Sequence, residues 1–217
     1  MSARLVPLGL VAILGLYLPP GGACDDAPRM TAPVDSHPGT VLSVSAGGAW
    51  TAAHVLGGVH DGGRDAAILE AELIRTFGHG EIVAFDWRVG VVPLELQKTR
   101  PAPGDSAPGL GSPFDLATVY GAGLDPVGFG VRWRQGQWRP FAAARGGFRW
   151  FQSPLPDPRG SRFNFAATLS LGVLRSIGRA RWISLSVDFH HVSNGGLADF
   201  NPGMNQFVLS IGWQRMR

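Results

Sequence analysis

A chain of 217 residues is long enough for one sizeable domain, and 31 Gly, 17 Pro and seven Trp with only 16% charged residues suit many strands joined by turns. Its single cysteine, Cys24, excludes an intramolecular disulfide framework. The net charge is +3 and the sequence pI about 9.7, and Lys98 is the only lysine, so the positive charge is nearly all arginine, whose planar fork suits phosphate and carboxylate.

Residues 1–23 read as an export signal. Arg4 supplies a positive start, Leu5 to Leu18 form an apolar run too short to span a bilayer comfortably, and Gly21-Gly22-Ala23 offers small residues for cleavage. Cys24 follows at once, as at a lipoprotein site, but Gly21 stands where such sites usually carry Leu. Beyond the signal no continuous apolar stretch reaches about 18 residues, so no transmembrane helix is expected. Residues 24–39, with Pro28, Pro33 and Pro38, read as an irregular lead, and 40–217 as a β-barrel domain. Strands are expected at 40–50, 67–77, 83–97, 126–134, 138–151, 162–177, 181–194 and 205–215. Turn signals such as Asp61-Gly62-Gly63, Gly78-His79-Gly80 and the Pro-rich stretch 101–113 separate them.

The alternation within the strands is informative. Leu69, Ala71 and Leu73 oppose Glu70 and Glu72; Val83, Phe85, Trp87, Val89 and Val91 oppose Asp86 and Arg88. Val127, Phe129, Val131 and Trp133 oppose Arg132 and Arg134, and Ile183, Leu185, Val187 and Phe189 oppose Ser184, Ser186 and Asp188. A soluble barrel turns the apolar set inward; a transmembrane barrel turns it to lipid and fills its interior with the polar set. Three features favour the membrane form: the export signal, aromatics near strand ends (Trp133, Trp138, Trp150, Phe151, Trp182, Trp213), and the near absence of lysine from the strands. The expected fold is therefore all-β, an eight-stranded antiparallel transmembrane β-barrel. Inside it, Glu70, Glu72, Asp86 and Asp188 need partners, since an unpaired buried charge is costly, and Arg88, Arg132, Arg145 and Arg149 are available.

Asp188-Phe189-His190-His191-Val192-Ser193-Asn194-Gly195-Gly196 carries the chemistry. Two residues apart on a strand, His191 and Ser193 share one face, which sets a base beside a hydroxyl. By parity that face is the lipid face, at the rim of the apolar band, so the substrate implied is a membrane amphiphile; the plainer reading is a polar cap that closes the strand. His190 points the other way and is expected to join Asp188 inside the barrel. His37, His54, His60 and His79 show no ligand spacing. The Gly-Gly pairs lack the strand-to-helix setting of a phosphate loop, and no nucleic-acid module accompanies the basic pI.

His191-Val192-Ser193-Asn194-Gly195-Gly196, followed by Asn201-Pro202-Gly203-Met204-Asn205, resembles the His-x-Ser-Asn signature of the outer-membrane lipid A 3-O-deacylases. The resemblance implies a cell outer-membrane esterase that hydrolyses the 3-O acyl chain of lipid A, with lipopolysaccharide of the outer leaflet as its partner and no cofactor. Ser193 would be the nucleophile and His191 the base. Asn201 and the backbone N–H of Gly196 match positions that supply the oxyanion hole, and Asn194 would support the loop. The family's acid matches Asn205, in phase with Phe207, Leu209, Ile211 and Trp213 and so on the face of His191 and Ser193. Asn can orient a histidine but adds no charge; Asp199 is an alternative acid. The other reading is a non-catalytic barrel whose triad has weakened. The chain ends in Gln214-Arg215-Met216-Arg217, where such barrels more commonly end in an aromatic.

Overall fold

The structure, a computed structural model, describes residues 39–51, 64–99, 118–155, 159–178, 180–201 and 203–216. The expected export signal, nearly all of the lead, the stretch 101–113 and His37, His54 and His60 lie outside the described residues. Eight strands follow in chain order: β1 (Thr40–Thr51), β2 (Arg64–His79), β3 (Val83–Thr99), β4 (Thr118–Trp133), β5 (Trp138–Leu155), β6 (Ser161–Gly178), β7 (Arg181–Ser193) and β8 (Met204–Met216). Each pairs antiparallel with the next, and β1 closes on β8. Closure leaves no unpaired sheet edge, which a hydrocarbon environment demands.

The barrel is apolar outside and polar inside. Leu171 is 69% exposed and Ile211 61%, whereas Arg149 is 1% exposed and Glu95 0%. Exposed leucine, valine and phenylalanine recur around β1 to β8, far more than a water-facing surface carries. This is the inverted pattern of a transmembrane barrel.

Ion pairs fill the interior. Arg132 Nε meets Asp86 Oδ2 at 3.0 Å, Arg88 Nη1 meets Glu72 Oε2 at 3.4 Å, and Arg145 bridges Glu70 and Glu72. Arg149 binds Glu95 at 2.9 Å and Asp125 at 2.7 Å, tying β5 to β3 and β4. Two expectations need correction. Asp188 takes no arginine; Ser210 Oγ donates to its Oδ2 at 2.8 Å. His190 joins Thr168 Oγ1 at 2.9 Å and lies 3.5 Å from Glu95, rather than meeting Asp188.

Glu95 and Asp125 escape simple alternation for a physical reason. Proline cannot donate to a strand ladder and sits where pairing is interrupted. Pro93 falls in the register shift between Val92 and Glu95, and Pro126 in the shift between Leu124 and Val127. Each shift reverses the parity of its strand, turning Glu95 and Gln97 inward in β3 and Asp125 inward in β4. The same interruption hides the first half of β4, which begins at Thr118 and not at residue 126.

Apolar plugs close the interior at both ends. Val119, Phe151, Leu155, Ala166, Val192 and Met204 pack together at one end, and Phe141, Leu174 and Trp182 at the other. Phe151 and Trp182 are therefore interior plug residues and not members of the outer aromatic belt; Arg139 stacks over the Trp182 ring at 4.2 Å. Short turns at 80–82, 134–137 and 179–180 share one end with the start of β1 and the finish of β8. The strand ends of β1 and β2, β3 and β4, β5 and β6, and β7 and β8 that longer stretches of sequence join share the other. In outer-membrane barrels the short turns are periplasmic, so the longer connections face outward.

Candidate active site on the lipid face

Period-2 alternation puts His191 and Ser193 on the outer side of β7, at its outward-facing end. Across the ladder His191 stands opposite Ala167 of β6 and Asn205 of β8, and Ser193 opposite Phe165 of β6. Between them Val192 points inward, 0% exposed, into the apolar plug. The wall behind the pair is thus backed by apolar side chains, and the pair itself faces the membrane side.

Asn205 completes the arrangement. Its Oδ1 lies 2.7 Å from His191 Nδ1. With an amide oxygen as partner, Nδ1 carries the proton and Nε2 keeps its lone pair, the tautomer of a general base. Asn205 is 6% exposed despite its outward parity. Gly203 lies against the same ring: its φ is +68°, and a Cβ built on it would stand 2.9 Å from His191 Cε1. Only glycine gives both that backbone and that closeness. Asp199 is exposed in the connection, and the Nδ1 position that an alternative acid would take belongs to Asn205.

The loop after Ser193 is wired by Asn194, 1% exposed. Its Nδ2 donates to Phe200 O at 2.9 Å, its Oδ1 accepts from Gly196 N at 2.9 Å, and its own N–H donates to Asn201 Oδ1 at 2.9 Å. The last bond fixes the amide of Asn201: the oxygen is occupied, and Nδ2 is the group left to donate. The N–H of Gly196 is engaged by Asn194. Gly195 at φ +62° and Gly196 at +84° supply the left-handed backbone that the turn needs. Arg159, two residues before β6, holds the loop from the other side, its Cζ 4.0 Å from the Phe200 ring centroid. Sequence reasoning placed Gly203 in a tight loop but gave it no contact with His191, and gave no role to Phe200 or Arg159. The Asn-Pro-Gly turn signals the first; nothing local signals the stacking of the other two. Among the described residues no group of three or more His, Cys, Asp or Glu is placed to hold a metal ion.

Fold and site together define an outer-membrane β-barrel that carries a serine and a histidine on its lipid-facing wall. The family model for lipid A 3-O-deacylase (PagL) matches residues 103–214, and the chain belongs to that family. The crystal structure of the outer membrane enzyme PagL superposes with a TM-score of 0.56 at 16% identity, covering 79% of this chain and 97% of that one. Neisserial surface protein A gives a TM-score of 0.46 at 12% identity over 81% of this chain and 96% of its own, and OprG from Pseudomonas aeruginosa 0.45 at 11% over 83% and 97%. At 16% identity the PagL superposition speaks to the fold alone. No curated protein sequence matches the chain.

Proposed function

We propose that this protein is an outer-membrane serine esterase that removes the 3-O acyl chain of lipid A. The observation that carries the reading is the contact of Asn205 Oδ1 with His191 Nδ1, on the outer wall of the barrel and on the face of Ser193. His191 Nε2 takes the proton of Ser193, whose Oγ attacks the ester carbonyl; the negative charge moves to the carbonyl oxygen, and Asn201 Nδ2 donates to it. The intermediate then collapses, the acyl carbon–sugar oxygen bond breaks, and the imidazolium gives its proton to the leaving oxygen, which departs as the sugar hydroxyl. Water, activated by the same nitrogen, releases the fatty acid from Ser193. Asn194 and Gly196 hold the loop, and the Gly196 N–H becomes a second oxyanion donor once it leaves Asn194 Oδ1. The export signal at residues 1–23, cleaved before Cys24, delivers the chain to the outer membrane. Membership of a lipid A deacylase family and the outward end of the barrel both favour lipid A, the amphiphile of that leaflet, as substrate.

An activated serine reacts with a fluorophosphonate where an ordinary surface serine does not. Intact-mass analysis of the folded barrel after treatment should show one adduct, mapping to Ser193, absent from Ser193→Ala and strongly slowed in His191→Ala. An unlabelled wild-type barrel, or an adduct elsewhere, contradicts the assignment.

A further inference from the structure

A group of arginines lies at the opposite end of the barrel. Arg75 of β2, Arg175 of β6, Arg181 of β7 and Arg215 of β8 are all exposed, and all occupy lipid-facing positions, in phase with Leu73 and Phe77, Ile177, Ile183 and Trp213. Strands β6, β7 and β8 are consecutive in the wall, so three of the four form one patch. Arg181 and Arg215 are direct register partners. Like charges placed opposite each other on one sheet face repel, and this face offers little to offset them. Of the two described acids at this end, Asp86 is turned inward onto Arg132 and Glu81 sits in the β2–β3 turn.

The depth of the patch is set by aromatics. Trp133, Trp138 and Trp213 are exposed on the outer surface at this end, where tryptophan marks the headgroup level. Arg175 lies over the Trp138 ring, its Cζ 4.8 Å from the centroid. The guanidinium groups therefore stand at the level of lipid phosphates. The short turns assign this end to the periplasmic leaflet, where the phosphates belong to phospholipids.

We propose that Arg181 and Arg215, flanked by Arg175 and Arg75, bind the headgroup of an anionic phospholipid of the periplasmic leaflet. Two guanidinium forks one strand apart take different oxygens of one phosphodiester, which converts a repelling pair into a chelate. The flanking arginines discriminate against a headgroup that carries its own ammonium.

The test counts bound lipid by native mass spectrometry on the wild-type barrel in neutral micelles, titrated with cardiolipin or with phosphatidylethanolamine of the same chains. Cardiolipin should be retained at a concentration lower by ~10-fold or more, and it should raise the thermal unfolding midpoint of the wild type. Arg181→Gln/Arg215→Gln should lose both effects. Without lipid it should unfold no earlier than wild type, because a repulsion has been removed. Arg181→Lys/Arg215→Lys, which keeps charge without the fork, should fall between. Lys98→Gln/Arg162→Gln, at the other end, should behave as wild type. Equal retention of the two lipids, an undiminished preference in the Gln pair, or its loss in the opposite-end control overturns the proposal. So does displacement of cardiolipin by inorganic phosphate, which would mark a free-anion site.

Discussion

His191 receives its orientation from an amide where a carboxylate would also supply charge. The 2.7 Å contact to Asn205 Oδ1 holds the imidazole in the tautomer that leaves Nε2 basic, but an imidazolium formed in the proposed acyl transfer would gain no counter-charge from it. In a serine protease, replacing the triad Asp with Asn costs ~10⁴ in kcat, chiefly through the wrong tautomer. Here the tautomer is right, so only the charge is missing. Asn205→Glu should therefore raise kcat by a factor well below that figure and leave KM nearly unchanged, because the added interaction appears in the transition state alone. Steady-state hydrolysis of lipid A in micelles checks it; a variant with unchanged or lower kcat removes Asn205 from the catalytic account. At this scale the sequence was a good guide to the outer ring of residues. His191, Ser193 and Asn205 share a face because strand period is fixed at two. The wiring of the loop was not legible, since the bonds of Asn194 to Phe200, Gly196 and Asn201 depend on a turn path that no period describes.

At the scale of strands, the interior is held by arginines that each reach more than one neighbour. Arg149 is the clearest case, binding Glu95 of β3 and Asp125 of β4 from β5 at 1% exposure. Removing it leaves two buried carboxylates without their cation. Arg149→Met should destabilise the folded barrel by ~3–5 kcal/mol, as expected when one partner of a buried pair is lost. Urea unfolding in micelles measures this, and a loss below ~1 kcal/mol would mean that water or Gln97 satisfies the acids instead. Alternation foresaw Glu70, Glu72 and Asp86 as interior acids but passed over Glu95 and Asp125. The difference lies in Pro93 and Pro126, whose register shifts reverse the inward face part-way along β3 and β4. Phe151 and Trp182 misled for a related reason: an aromatic at a strand end fits either a lipid belt or an interior plug, and only parity in the paired sheet decides.

The described residues form a closed barrel with charge at its centre, apolar clusters toward its ends and an apolar outer wall. Its outer wall tolerates polarity only near the rims. Leu171, mid-strand in β6 beside Val187 and Ala142, is 69% exposed. Leu171→Arg should cost ~2–4 kcal/mol of folding free energy in a bilayer, the range for arginine at the midplane of a lipid-facing strand. Folding titrations in phosphatidylcholine vesicles measure it; a negligible cost would place β6 away from lipid. The same geometry decides how the site is served. Val192 and Met204 are buried in the apolar cluster behind Ser193, so the proposed substrate is expected from the outer leaflet.

The central claim is that Ser193 cleaves an acyl ester of lipid A. Mass spectrometry of lipid A from cells that make equal amounts of folded wild-type or Ser193→Ala barrel tests it most directly. Wild-type cells should yield lipid A lighter by one 3-O-linked hydroxyacyl chain, and Ser193→Ala cells should yield the intact form. Identical spectra, with both barrels folded in the outer membrane, would contradict the account and leave a barrel that keeps the shape of the site without its chemistry.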